Sequence, residues 1–246
     1  MNAKLKRIKD IRYFETPSVP RSRAPIHDDV PGLYQIPKDI HRLGQRIACL
    51  LEAQGFSAGN ADHVYIALTT ALASGETFSI GPGFERWQLY VACGLSGDFK
   101  SLPPSEKLAR VEAMTLDALT ALNPQETDLL MQIRRSLVSG ASTRVLRASK
   151  ETKAFRFEVW FDVPSWQGQS HLYVVAHNNE TGAILEAPPF PLASYEHAFS
   201  LVSSITFSKG VVKLVPRESF RAGLSTGGYQ TPLLFPLSRF VAAHDG

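Results

Sequence analysis

The chain predicts an α+β fold with a mainly antiparallel sheet, about three to four helices and a hairpin-rich C-terminal half. Three observations predict it. Strand-like alternation dominates after residue 142, helical spacing of apolar residues is confined to residues 37–140, and no regular βαβ alternation is visible to build a parallel sheet. The composition, 44% apolar and 20% charged over 246 residues, is that of a well-packed globular chain. The organisation expected is an extended basic arm over residues 1–30 and a single α+β domain over 31–246, with any subdivision falling near 140.

Pro17, Pro20 and Pro25 break every periodicity in the first 30 residues, which gives the arm. Pro37 suits the first turn of a helix, where its missing N–H has no partner to lose, and Ile40, Leu43, Ile47, Leu50 and Leu51 mark one face before Gly55 ends it. Two strands follow, His63 to Thr70 and Arg86 to Leu95, with Gly75, Gly81, Pro82 and Gly83 in a loop between them. From Pro104, Leu108, Val111, Thr115, Leu119 and Leu122 recur at helical spacing. Asn123-Pro124 closes that helix and opens another, with Asn123 as cap and Leu130, Ile133 and Leu137 facing inward until Gly140. The later strands are Thr143 to Ala148, Ala154 to Val163, His171 to Ala176, Ala183 to Ala187, Ser204 to Phe207 and Val211 to Val215, joined by turns at 178–182 and 208–210. A short helix is expected from Ser194 to Val202, and a glycine loop from Gly223 to Gly228.

Composition excludes several classes. There is no run of eighteen apolar residues, and the basic N-terminus is not followed by the apolar stretch of a secretion signal. The two cysteines, Cys49 and Cys93, sit in apolar patterns and cannot form a disulfide framework. A cytoplasmic protein with no membrane partner and no cofactor is expected. Charge is uneven: residues 1–23 hold seven basic and two acidic side chains and residues 134–156 seven and one, on an otherwise acidic body. Such segments are steered toward acidic partners or nucleic acid by local charge.

The densest constellation lies on one alternating strand. Phe155, Phe157, Val159, Phe161 and Val163 form a core face, which leaves Arg156, Glu158, Trp160 and Asp162 on the other. The next strand places His171, Tyr173 and His177 on its corresponding side. Matching the two core faces allows two registers: Phe161 opposite Leu172, which puts Asp162 across from His171 and Trp160 across from Tyr173, or Val163 opposite Leu172. Either way Arg156, Glu158, Trp160, Asp162, His171, Tyr173 and His177 share a face, which reads as a partner-binding surface with aromatic anchors. Acid–base catalysis by a His/carboxylate pair is the alternative, a hydrolase or a nucleic-acid-processing enzyme. His171 and His177 lie roughly 20 Å apart on an extended strand at about 3.3 Å per residue, so they cannot act on one atom or hold one metal.

A third reading is nucleic-acid binding through Arg144, Arg147, Lys150 and Lys153, with Arg156 beside them. It is weakened because Phe155 and Phe157 belong to the core face and cannot stack on bases. His27-Asp28-Asp29, Asp62-His63 and Glu196-His197 offer adjacent polar groups without the spacing of a metal site, so none is expected. Gly223-Leu224-Ser225-Thr226-Gly227 matches the nucleophile-elbow pattern, but the prolines around it and the order of the following His244 and Asp245 do not suit that fold.

Arg86-Trp87 and Tyr90 on a strand, Gly94-Leu95 at its end, then Asp98-Phe99, Leu102 and the helix from Pro104 resemble uncharacterised bacterial proteins of the toxin-immunity type. The resemblance covers about half the chain. It implies a compact, non-enzymatic α+β binder that occludes a toxin, and it carries no catalytic residue. Strong acidity is frequent among inhibitors of nucleases, and this chain departs from it with a formal net charge of +3.

Overall fold

The computed structural model of the chain describes residues 5–20, 29–83 and 85–243. Among them are five α-helices and thirteen strands in largely antiparallel sheets, so the fold is α+β, with one helix beyond the three to four expected. The chain forms two compact units, Met1–Thr143 and Arg144–Gly246, where one domain over 31–246 was expected with any division near 140.

The first unit corrects two expectations. Residues 1–30 are not simply an arm: β1 (Asp10–Glu15) is a strand, and it pairs in parallel with β2 (His63–Thr69), Ile11 against Val64 and Tyr13 against Ile66. Its alternation is short, but Ile11 and Tyr13 are buried, and burial of alternate residues fixes a strand. The linker helix α1 (Asp39–Gln54) completes a β–α–β unit, so parallel pairing is present where no regular βαβ alternation predicts it. β2 also pairs in parallel with β4 (Gln88–Gly94). The expected loop at 75–83 includes β3 (Thr77–Pro82), antiparallel to β4, and the sheet order is β1-β2-β4-β3.

The helices α2 (Pro104–Leu122) and α3 (Thr127–Ser136) follow. Asn123 does not cap α3; its Nδ2 donates to the Ser57 carbonyl at 2.9 Å, and a 3-10 turn at Pro124–Glu126 leads in. Gly55 ends α1 at φ 80, a left-handed position that glycine occupies without a Cβ clash. Tyr13 ties strand to helices, with its ring beside Gly44 of α1 and its hydroxyl 2.9 Å from Thr115 Oγ1 of α2. Part of the N-terminal charge is absorbed locally. Arg12 Nε lies 2.6 Å from Asp10, and Lys9 and Lys6 lie 3.6 and 4.0 Å from Asp62. Burial pulls the Asp62 carboxyl up, but the His63 hydrogen bond and the two lysines outweigh it and hold it below the ordinary carboxylate value.

The second unit is built on a sheet ordered β13-β8-β7-β6-β5, from β5 (Arg144–Glu151), β6 (Phe155–Asp162), β7 (Ser170–Asn178), β8 (Ile184–Glu186) and β13 (Val241–Ala242), with β9 (Phe190–Leu192) also on β7. A smaller sheet of β10 (Ser204–Ser208), β11 (Val211–Val215) and β12 (Leu233–Pro236) supplies Phe207, and α4 (His197–Leu201) supplies Phe199. Phe207 packs 4.8 Å from the Phe157 ring and Phe199 packs 5.3 Å from Phe161. The core face of β6 is therefore covered by aromatic contacts, which bury large apolar areas. Lys209 and Gly210 both have positive φ, 49 and 73, which is what a two-residue hairpin between Ser208 and Val211 requires.

The glycine-rich segment is the fifth helix, α5 (Phe220–Thr226), and not a loop. Ser219 caps it, its Oγ accepting the Ala222 N–H at 3.2 Å, and a satisfied first turn outweighs the helix-weakening Gly223. Ser225 Oγ donates back to the Arg221 carbonyl at 3.3 Å inside that helix, so Ser225 does not sit on a strand-to-helix elbow. His244 and Asp245 lie outside the described residues.

Gly44 gives a test of the β1–α1 packing. A Cβ there would come 2.6 Å from the Ile11 carbonyl oxygen and 2.9 Å from the Tyr13 ring. Helix propensity alone favours alanine by about 1 kcal/mol, yet overpacking against backbone costs about 1–3 kcal/mol. Gly44→Ala is expected to lower the urea midpoint; a raised midpoint would show that α1 is not held this close to β1.

Candidate partner-binding face

The register between β6 and β7 brings the predicted residues together. Phe161 is opposite Leu172, Trp160 opposite Tyr173 and Arg156 opposite His177, so the alternative with Val163 opposite Leu172 is excluded. One-residue alternation then puts Arg156, Glu158, Trp160 and Asp162 on the side away from Phe157, Val159 and Phe161, joined there by His171, Tyr173 and His177. Arg156 is exposed, Glu158, Trp160, His171, Tyr173 and His177 are half-buried, and Asp162 is buried.

Two carboxylates organise this face. Glu158 accepts from Trp160 Nε1 at 3.2 Å, lies 3.1 Å from His177 Nε2, and pairs with Arg156 Nε at 3.2 Å. Asp162 accepts the His171 backbone N–H at 2.7 Å and the Tyr173 hydroxyl at 2.8 Å, with the His171 ring 3.7 Å away. A buried carboxylate is stable when such donors replace its water. Burial, then the hydrogen bond and charge of Asp162, push the Tyr173 phenol up to about 12, partly opposed by Arg144.

Neighbouring strands add residues that alternation on β6 and β7 did not reveal. Arg144 lies opposite Asp162, with its guanidinium 3.8 Å from the Tyr173 ring centre, and pairs with Glu186 of β8 at 3.0 Å. A cation over an aromatic face is attracted by the ring quadrupole. Leu146 lies opposite Trp160, and Ile184 opposite His177. The signal for Arg144 was present as a cation on a predicted strand, but its meaning depended on which strand paired with which.

The four basic residues read as a nucleic-acid surface do not form one row. Arg144 belongs to the outer face, whereas Arg147, three residues on, falls on the opposite side by alternation, where its guanidinium lies 5.3 Å from the Phe199 ring. Lys150 and Lys153 are exposed at the far end of the hairpin. The adjacent polar pairs are engaged with each other or with neighbouring groups. His63 Nδ1 bonds Asp62 at 2.9 Å, His197 Nδ1 bonds the Tyr229 hydroxyl at 2.8 Å, and Asp29 accepts the Glu15 N–H. His27 and Asp28 lie outside the described residues, among which no group of three or more His, Cys, Asp or Glu is placed to hold a metal ion. Cys93 is buried and its thiol is pushed up to about 12 by desolvation, the reverse of an activated nucleophile. A concavity of about 240 Å³ in the second unit is lined by Pro189, Phe190, Phe235 and Phe240, not by residues of the outer face.

Comparison with protein-family models, with curated proteins and with solved structures returned no match.

The Tyr173–Asp162 bond has a pH signature. A phenol raised above its ordinary value of 10 contributes stability that is complete below about pH 10 and is lost as pH rises through about 12. In an absorbance titration, the wild-type minus Tyr173→Phe difference is expected to show a phenolate forming near 12. The same substitution strips Asp162 of a donor and is expected to cost about 1–3 kcal/mol. A difference curve centred near 10 would break the assignment.

Proposed function

We propose that the chain is a non-enzymatic binding protein whose outer sheet face, centred on Trp160, Tyr173 and Asp162, meets a protein partner. The observation that carries this reading is the mutual saturation of the face. Glu158 and Asp162, the carboxylates that acid–base chemistry would use, are held by indole and guanidinium donors of β6 and by phenol and backbone donors of β7. A general base has to be within reach of a substrate proton, and a carboxylate ringed by structural donors is poorly placed for that. Fixed aromatic and arginine side chains, in contrast, are what dominate binding energy at protein interfaces. The resemblance of the 86–104 region to toxin-immunity proteins supplies the class of partner, a toxin whose active site the face covers. The cytoplasm is the compartment that goes with this reading.

Trp160→Ala with Tyr173→Ala is the direct test, by co-expression with the product of the neighbouring gene and titration of the purified pair. Loss of two anchors is expected to weaken binding by about thirtyfold or more, equivalent to at least about 2 kcal/mol. Equal affinity from a variant with unchanged far-ultraviolet dichroism would remove the face from the interface.

A further inference from the structure

The concavity of about 240 Å³ in the second unit has a chemistry that the outer face does not share. One wall comes from the segment that joins β8 to β9, and the other from β12 and the 3-10 turn after it, Leu237–Arg239. The rings of Phe190, Phe235 and Phe240 line it, with Phe190 and Phe235 edge-to-face at a centroid distance of 6.2 Å. Phe235 and Phe240 are each only 9% exposed, so the core around them sets both rings. A lining that is fixed in advance leaves little to order when a ligand arrives.

The polar side of this lining is one-sided. Pro188, Pro189 and Pro236 have no N–H, and the N–H groups of Ala187 and Phe240 are bonded to the carbonyls of Val174 and Leu237 at 3.0 and 3.1 Å. The one charged side chain of the lining is Arg239, exposed and without an ion pair among the described residues. Among those residues no acidic side chain lines the concavity, nor the neighbouring one of about 360 Å³ that shares Phe190, Leu234 and Phe235. Glu186, next in sequence to Ala187, is turned to the outer face, where it pairs with Arg144 at 3.0 Å.

Those features select an occupant. Three phenyl rings beside three prolines accept a flat apolar body through stacking and edge contacts. A guanidinium takes a carboxylate through two parallel hydrogen bonds, which an amide or an alcohol does not match. Size sets the limit: drug-sized ligands fill roughly 300–1,000 Å³ and benzene a cavity of about 150 Å³, so a concavity of about 240 Å³ takes one or two fused rings. A nucleic-acid strand brings a row of phosphates to a lining that has one cation for them. We infer that this concavity binds a small aromatic carboxylate, its ring among Phe190, Phe235 and Phe240 and its carboxylate on Arg239. None of these residues belongs to the outer face of β6 and β7, so different variants test the two readings.

The test is calorimetric titration of the full chain with naphthoate, and with naphthamide as its uncharged counterpart. Saturable binding of naphthoate is expected, with a dissociation constant of roughly 100 µM for a ligand of this size, and naphthamide should bind at least about tenfold more weakly. Arg239→Gln is expected to lower naphthoate affinity about tenfold and to leave naphthamide where it was. Arg239→Lys keeps the charge but loses the fork, and should fall between. Phe190→Ala should weaken both ligands. Arg239 is exposed, so thermal melts of its variants should match the parent. No saturable binding of naphthoate overturns the inference, as does an affinity that Arg239→Gln leaves unchanged or a naphthamide affinity equal to that of naphthoate. A concentration-dependent dimer that Phe190→Ala dissociates would give the concavity to a second copy of the chain instead.

Discussion

Phe161 faces Leu172 across the β6–β7 ladder, and both are fully buried. That pairing is enforced by the aromatic core, because a slip of one residue would drive Phe157, Val159 and Phe161 into solvent and pull Arg156, Glu158 and Asp162 inward. Each buried aromatic or branched side chain contributes about 1.5–3 kcal/mol relative to exposure. The polar face inherits its geometry from this constraint. With Trp160 across from Tyr173, the diagonal from Tyr173 to Asp162 becomes a hydrogen bond of 2.8 Å, and His177 falls within 3.1 Å of Glu158. The outer face is thus a by-product of packing on the inner one, which makes it rigid without any dedicated scaffold.

The first unit rests on a different constraint. Its sheet is mixed, with β1, β2 and β4 parallel and β3 against them, and β1 is held by hydrogen-bonded pairing to β2 and by Tyr13, which reaches Thr115 of α2. Basic residues that resembled a free arm are partly committed to Asp10 and Asp62. Segment charge shows that the stretch is cationic; of the two partners Asp10 is local, whereas Asp62 lies just before β2, more than fifty residues along the chain from Lys9.

What the sequence makes legible follows from how local its physics is. β5, β6, β7, β8, β10, β11, α1 and α2 announce themselves through periodicity alone, whereas β9 and β12, short and holding Pro191 and Pro236, and the two-residue β13 do not; matching of core faces narrowed the β6–β7 register to two choices. The pairing β1–β2 was not legible, because six residues of alternation next to three prolines give little signal and parallel pairing depends on a crossover rather than a turn. α5 was hidden by glycines, whose propensity cost a serine cap and tertiary contacts override. At the site, residues on consecutive strands were found from sequence, whereas Glu186, and Arg144 in its role over Tyr173, required the order of the sheet. Residue identity is written along the chain; adjacency between non-consecutive strands is not.

β5 is the last strand in the hydrogen-bonded order of the large sheet, and an edge strand invites another chain to extend it. The irregularity between Leu146 and Ala148 kinks that edge, and Lys150, set opposite the core residue Phe157 yet exposed, places a charge where an incoming strand would need an apolar one. The cationic hairpin therefore has a role that needs no ligand. A kink and an exposed lysine are features that oppose extension of a sheet by an added strand.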